Sequence, residues 1–526
     1  MSKIKIVDLF AGPGGLGEGF ARFSPDNSIH NRPFQIVCSA EKDPAAVRTL
    51  RLRTFFRLCE AGGEVPQSYY DYVRGEAPEP YDSATEALWT HACREASTIE
   101  LGTETGDQQL RDSVKRNLDK SDEWILIGGP PCQAYSLVGR SRNRGNASYN
   151  PAKDKRNFLY EHYLEILARH QPSAFIMENV KGLLSSRVGK QLMFPRIIKD
   201  LANPGLTVGT RSRPKYTIHA LTAPCQFSHV DDVSELNPKD FIIRAEKFGI
   251  PQARHRVILL GIRQDSGLTP PAALQPTDHF LESATVLKGL PPLRSGITRM
   301  PTTTADWQGK IRQALQESSK AGLARRLHNR MLCAFTEDPK LQAGLQQGGS
   351  FVKASHVRTG RSKLEKHLLG SIIDKRCGGF LNHQARNHMP MDLVRYLYAI
   401  TIARNEGRSP MATEYPEALA PNHRNWQSGK FADRFKVQIP QRPATTVTSH
   451  ISKDGHYFIH PDPVQCRSLT VREAARLQTF PDNYFFEGNR TEQYIQVGNA
   501  VPPLLANQIA KIVYGLRGGG AASGND

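Results

Sequence analysis

Ile4-Lys5-Ile6-Val7-Asp8-Leu9-Phe10-Ala11-Gly12-Pro13-Gly14-Gly15-Leu16-Gly17-Glu18-Gly19-Phe20 is the stretch on which the fold turns. Residues 4–10 form a short, mainly apolar run of the kind a buried strand shows. The run ends in closely spaced glycines, which suit backbone that approaches a ligand or takes positive φ. At the end of the first strand of an α/β sheet, that is where a nucleotide-like cofactor binds. Gly12, Gly14 and Gly17 satisfy G-x-G-x-x-G, a pattern that alone suits a dinucleotide equally well. Glu41 closes the next apolar run, residues 35–40. A carboxylate there can accept the hydroxyls of a ribose. The two features together imply an adenosine-bearing cofactor, with NAD and S-adenosylmethionine both open.

Further runs at 124–127, 174–177 and 257–262 are separated by helical stretches. Such alternation predicts an α/β fold, a parallel sheet with helical crossovers. Residues 60–120 read as an elaborated region. From about 263 to 440 the strand–helix rhythm fades, which predicts a separate domain or large insertion. Helices are expected near 470–478 and 504–516, followed by a Gly/Ala/Ser-rich tail.

A chain of 526 residues is long enough for two to four domains. It carries no apolar run of the ~18 residues that would span a bilayer. Its N-terminus lacks a signal-peptide pattern, so an intracellular, cytoplasmic location is expected. The formal net charge is +18, which favours polyanionic partners, nucleic acid first. No two of the eight cysteines form a C-x-x-C pair, so neither a zinc site nor a disulfide framework is indicated.

One cysteine has a distinctive setting. The run at 124–127 leads into Gly128-Gly129-Pro130-Pro131-Cys132-Gln133-Ala134-Tyr135-Ser136. A cysteine in a rigid loop at a strand end is in a catalytic location. Nearby cations such as Arg140 and Arg142 favour its thiolate. The strand at 174–177 ends in Glu178-Asn179-Val180, and a carboxylate at a strand end can serve as a general acid. Gln252-Ala253-Arg254-His255-Arg256 precedes the run at 257–262. In an extended segment Arg254 and Arg256 would share a face, which suits an anionic or carbonyl-rich ligand.

In this order, these motifs resemble those of the DNA (cytosine-5)-methyltransferases. Arg467-Ser468-Leu469-Thr470-Val471-Arg472-Glu473-Ala474-Ala475-Arg476-Leu477-Gln478-Thr479-Phe480-Pro481 resembles the family's ninth motif, and Gln496-Val497-Gly498-Asn499-Ala500-Val501-Pro502-Pro503 its tenth. The likeness covers about residues 3–262 and 440–516. It implies a Rossmann-like, S-adenosylmethionine-dependent methyltransferase fold with a smaller target-recognition domain. The boundaries expected are 1–262 for the catalytic domain and 263–484 for target recognition, including the ninth-motif helix. Residues 485–516 would return to the catalytic domain, and 517–526 would form a disordered tail.

The resemblance also implies roles. Cys132 would attack C6 of a cytosine flipped out of double-stranded DNA. Glu178 would meet N3, Asn179 would orient backbone and base, and Arg254, supported by Arg256, would stabilise the O2 side. Phe10, Gly12, Gly14, Gly15, Leu16, Glu41, Pro130 and Asn499 are the matched cofactor positions. Gln133, Ser136, Arg140, Arg142 and Gln252 would face DNA. The third-motif acidic residue has no clear counterpart, and Asp107 is the nearest assignment.

Asn382-His383-Gln384-Ala385-Arg386-Asn387-His388 reads as a structural or DNA-facing polar cluster rather than a metal site with Cys377, and no metal is expected. The reading is a monomeric, prokaryotic, nucleoid-associated methylase with a cognate restriction endonuclease as partner. A tRNA methylase or a catalytically silent DNA-binding regulator are the alternatives.

Overall fold

The computed structural model describes residues 3–119, 123–131, 159–188, 190–210, 214–300, 303–355, 360–422, 426 and 434–518. Its centre is a nine-stranded sheet among the described residues. The strands in it are β1 (Ile4–Leu9), β2 (Phe34–Glu41), β3 (Ala96–Thr98), β4 (Trp124–Gly128), β5 (Ala174–Val180), β6 (Tyr216–His219), β7 (Gln226–Phe227), β8 (Ile242–Arg244) and β10 (His255–Arg263). Between the last two lies the short strand β9 (Gln252–Ala253), which pairs elsewhere. The sheet order is β3-β2-β1-β4-β5-β10-β6-β7, with β8 also paired to β10.

Strands β1 to β5 are parallel, as expected. The residues of β1, β4 and β5 are buried almost throughout, which is why these three read as mainly apolar runs. The order reverses between β1 and β4. A crevice outside the carboxyl ends of the strands at such a point is where α/β sheets bind ligands.

The expectation of a wholly parallel sheet is corrected at β10. It runs antiparallel to β5, with Arg256 opposite Val180, Val257 opposite Asn179 and Ile258 opposite Glu178. A parallel strand would have carried Arg254 and Arg256 to the far edge of the sheet. The antiparallel one brings its first residues to the carboxyl end of β5.

Helices flank the sheet. They include α1 (Gly15–Ala21), α2 (Pro44–Ala61), α3 (Glu104–Asn117) and α4 (Leu159–His170). Asp43 caps α2 by accepting from the amides of Ala45 and Ala46, with Pro44 at its first turn.

The middle region has its own core, built on α5 (Thr304–Lys320) and α6 (Pro390–Glu406) around Trp307, Leu315, Leu397 and Phe435. Three helices follow: α7 (Val471–Leu477), α8 (Arg490–Asn499) and α9 (Pro503–Gly515). The buried residues of α7 share one core with Ile6, Ile36 and Ile258 of the sheet. The boundary drawn at 484 therefore runs through that core rather than beside it. Helix α9 packs on α1, where Asn507 donates to the Gly19 carbonyl. Arg517, placed in the tail by sequence, pairs with Glu123 at 2.7 Å. Among the described residues no helix is long and apolar enough to cross a membrane.

Candidate active site

Of the residues expected on the cofactor side, Phe10, Gly12 and Glu41 gather at the carboxyl ends of β1 and β2. Phe10 and Gly12 both have positive φ, 54° and 56°. The Gly12 amide donates to Glu41 Oε2 at 2.9 Å, and the Lys42 and Asp43 amides donate to Oε1. These three bonds fix the carboxylate while leaving Oε2 an acceptor position, since a carboxylate offers about four. Among the described residues nothing lies within 4 Å of where a Gly12 Cβ would stand. Bare backbone facing open space beside an anchored carboxylate fits a ribose-bearing cofactor.

Gly14, Gly15 and Leu16 turn inward. Gly14 lies under Leu50 and Tyr484, Gly15 lies against the Val501 carbonyl, and Leu16 is buried. Tyr484 also donates to the Pro13 carbonyl. These positions lock the turn to the C-terminal segment. Asn499, at the end of α8, is exposed.

Asp107 does not sit with this group. It is on α3, accepts from the Gly102 amide and lies 3.4 Å from His162. The missed strand β3 supplies another acid. Ile99 donates to the Glu41 carbonyl, and Glu100 follows at the carboxyl edge, 3.9 Å from Lys42. Strand β3 has three residues, too few to show a period in sequence.

Beneath the turn, Asp8 is 1% exposed, and its Oδ2 has no hydrogen-bond partner among the described residues. Burial pushes its carboxyl up to about 8, with Glu41 and Glu95 adding to the rise and Arg57 opposing it. The folded value lies above the ordinary 3.8, so protonation of Asp8 favours the fold. That contribution is complete below about pH 4 and is lost as pH rises through about 8. Asp8→Asn should therefore gain on wild type steadily from about pH 4 to about pH 8, being more stable near pH 9 and no more stable near pH 4, read by urea unfolding. Parallel profiles for the two proteins would refute this.

Cys132, Gln133, Ser136, Arg140 and Arg142 lie outside the described residues. The loop that leads to them is held from below. Pro130 is buried, and its carbonyl accepts from Asn179 Nδ2 at 3.3 Å, while Asn179 Oδ1 accepts from the Val180 amide. Glu178 stands beside this loop. A Cβ on Gly129 would stand 2.8 Å from its Oε2 and 3.2 Å from its carbonyl oxygen, so a side chain there would push the carboxylate aside.

Arg256 Nε lies 2.7 Å from Glu178 Oε1. The contact is an ion pair rather than an aligned hydrogen bond, and both atoms retain hydrogen-bonding capacity among the described residues. Burial lowers the Arg256 guanidinium from its ordinary value, and Glu178 opposes the fall.

Two expectations are corrected here. The segment 252–256 is not evenly extended, because the Arg254 amide donates to the Gln252 carbonyl at 2.9 Å and breaks the strand. Arg254 consequently turns away from the Glu178–Arg256 contact and donates to the carbonyls of Val447 and Gly498. Arg256, not Arg254, is the arginine at Glu178. Gln252, expected on DNA, is completely buried, with its amide bonded to Leu477 and Val447 backbone.

The histidine-rich segment is also accounted for. His383 bonds Thr470 Oγ1 and the Pro291 carbonyl, and His388 bonds Ser468 Oγ and Tyr396. Both imidazoles are fully engaged in packing.

A family profile described as C-5 cytosine-specific DNA methylase matches residues 89–218 and 237–514. The chain belongs to this family. The methylase is a DNA (cytosine-5-)-methyltransferase by that membership. It is 33% identical to the type II methyltransferase M.Bpa9945I of Bacillus paralicheniformis, over 97% of this chain and 98% of the relative. It is 27% identical to the DNA (cytosine-5-)-methyltransferase M.ApeKI of Aeropyrum pernix, over 97% and 98% respectively. Its fold is like that of a DNA modification methyltransferase encoded within an E. coli prophage. That likeness has a TM-score of 0.53 at 19% identity and covers 98% of this chain and 99% of the other.

Proposed function

We propose that this methylase transfers a methyl group to C5 of a flipped-out cytosine in a specific double-stranded DNA sequence, through a covalent bond between Cys132 and C6. The observation that carries the reading is the Glu178–Arg256 pair, delivered by the antiparallel register of β10 to the end of the strand beside the loop that leads to Cys132. It is an acid–cation pair with unused hydrogen-bonding capacity, suited to the N3–C2–O2 edge of a pyrimidine.

Cytosine C5 is a weak nucleophile, and addition of a thiolate at C6 gives it enamine character. Glu178 meets N3 and Arg256 the O2 side, so charge that develops on the ring is offset where it appears. Asn179 holds the loop that carries the cysteine. After C5 is methylated, its proton leaves and the thiolate is eliminated.

S-adenosylmethionine, when bound, supplies the electrophilic methyl group. The residues that would hold it are Phe10, Gly12 and Glu41, with Glu100 in the place first given to Asp107. The middle region, with Gln133, Ser136, Arg140 and Arg142, would contact DNA. We infer a restriction–modification role in a prokaryotic cytoplasm, with a cognate endonuclease as partner, and the type II methyltransferases among the relatives support that reading.

Incubation with methyl-labelled donor and mixed-sequence DNA should place label on cytosine, and bisulfite sequencing should locate it in one sequence context. No label on any DNA, with the protein folded, would refute the proposal. Glu178→Gln should reduce the single-turnover rate by about a hundredfold, the scale of a lost proton-handling group. Its donor affinity should be unchanged. A rate near wild type would remove Glu178 from the chemistry.

A further inference from the structure

Gln252 and Arg254 leave a puzzle once Arg256 has taken the place beside Glu178. Both are polar, both are buried, and neither faces the site. Gln252 Nε2 donates to the Leu477 carbonyl at 3.1 Å, and its Oε1 accepts from the Val447 amide at 2.7 Å. Arg254 donates through one terminal nitrogen to the Val447 carbonyl at 2.6 Å and through the other to the Gly498 carbonyl at 3.2 Å. Val447 is thus held on its N–H by one residue and on its C=O by the other.

The surroundings repeat the pattern. Strand β9 pairs in parallel with a short strand, β11 (Ala444–Thr445), and Thr446 Oγ1 donates to the Ala253 carbonyl. Gly498 in turn backs onto the same segment, where a Cβ would stand 2.2 Å from the Ser449 nitrogen. Three stretches far apart in sequence meet at one guanidinium.

We infer that Gln252 and Arg254 are positioning residues, which fix residues 444–449 and the end of α8 to the strand that carries Arg256. The Glu178–Arg256 pair is thereby held in place against the C-terminal half of the molecule. The inference deepens the functional reading above and rests on it.

Two observations argue for a task beyond filling space. Arg254 is a cation, 1% exposed, whose hydrogen bonds go to backbone carbonyls. Its Nε has no partner among the described residues. A buried charge without its own carboxylate is costly, and an apolar side chain would occupy the place more favourably. The guanidinium is also a rigid planar fork, able to set the angle between two acceptors in a way that lysine is not. Electrostatics add to this. Burial and Arg256 both push the Arg254 guanidinium down, while Glu178 favours its charge. Among the described residues only Arg256 pairs directly with Glu178, so the Arg254 charge rests on backbone carbonyls alone.

The test uses the full chain and two substitutions, Arg254→Lys and Arg254→Met. Single-turnover methyl transfer at saturating DNA and donor should fall about tenfold or more in both, because small misplacements of reacting groups are costly. Donor affinity should stay within about twofold, since Phe10, Gly12 and Glu41 lie on β1, β2 and the turns that follow them. Arg254→Met should melt no lower than wild type. A slower enzyme that is equally or more stable is a result that packing alone would not give. Hydrogen exchange at residues 444–449 and 498 should quicken in both variants, with β1 to β5 unchanged. Transfer rates within about twofold of wild type, or a rate loss that only tracks loss of folded protein, would overturn the inference. So would unchanged exchange at those residues, whatever the wild-type chain modifies. If the wild type itself modifies no DNA, the functional reading fails, and the exchange result still decides whether the brace exists.

Discussion

Cys132→Ser should abolish covalent trapping on DNA that carries 5-fluorocytosine in the target sequence, and should slow methyl transfer at least about a thousandfold. Fluorine at C5 replaces the proton that must leave, so a true thiolate adduct accumulates and survives denaturation. Serine keeps the size of the side chain. At neutral pH, however, a cysteine is already a few per cent thiolate, while a serine hydroxyl stays protonated. Donor affinity should be retained, because Phe10, Gly12 and Glu41 stand on β1, β2 and the turns that follow them. The adduct should map to Cys132 by mass spectrometry. Of the other seven cysteines, Cys38, Cys59, Cys377 and Cys466 are buried. Burial pushes the thiols of Cys38 and Cys59 up to about 11 and about 12. Cys333 is exposed and is the natural control for non-specific labelling. An adduct that forms only on target-sequence DNA and maps to any cysteine other than Cys132 would relocate the active site, whereas label on Cys333 with any DNA marks non-specific reaction.

The parts of this fold that were legible in sequence are those whose physics is local. Strands β1, β4 and β5 are buried on both faces, and an unbroken apolar run is the direct signature of that state. The glycine turn was legible because Gly12 has a backbone conformation that side chains disfavour. Strand direction was not legible. Residues 257–262 read as a strand, yet nothing in them says whether it runs with β5 or against it. Helix α6 was lost for a related reason. It is buried on nearly all sides, from Asp392 to Ala403, so the alternation that marks a surface helix is missing.

At the site, motif order pointed to Glu178, Asn179, Arg254 and Arg256, and the resemblance set Arg254 ahead of Arg256, whereas the structure puts Arg256 beside Glu178. The ranking depends on one backbone hydrogen bond, from the Arg254 amide to the Gln252 carbonyl, which breaks the extended segment. Gln252 and Arg254 were misread because polar residues are presumed to face solvent or ligand. Their partners, Val447, Leu477 and Gly498, lie roughly 190 to 250 residues away. Burial of that kind is created by the tertiary fold. Glu100, the acid proposed for the cofactor side, follows the short strand that sequence did not show.

The largest stability effect should come from Arg53. Its guanidinium is 1% exposed and grips the fully buried Glu18 carboxylate twice, at 2.6 and 2.9 Å. A third bond runs to Asn483 Oδ1 at 2.9 Å, and the group lies 4.2 Å from the centre of the Phe56 ring. The pair joins α1, which follows the glycine turn, to α2 and to the C-terminal segment. Removing one partner leaves the other charge stranded in the core, which costs about 3–5 kcal/mol, whereas replacing both by apolar residues can be nearly neutral. Arg53→Met should therefore lower the urea-unfolding free energy by that amount, and Glu18→Leu with Arg53→Met should restore most of it. A single variant within about 1 kcal/mol of wild type would show that solvent or neighbouring groups already compensate the pair. The acid limb offers an independent check. Burial alone would raise the Glu18 carboxyl, but Arg53, Arg22 and Arg57 hold it down at about 2, below the ordinary 4.5. With the folded value depressed, the stabilisation is complete above about pH 4.5 and is lost as pH falls through about 2. Glu18→Gln should flatten that limb while Arg53→Met displaces it upward, so the two substitutions separate the charge of the carboxylate from the cations that hold it.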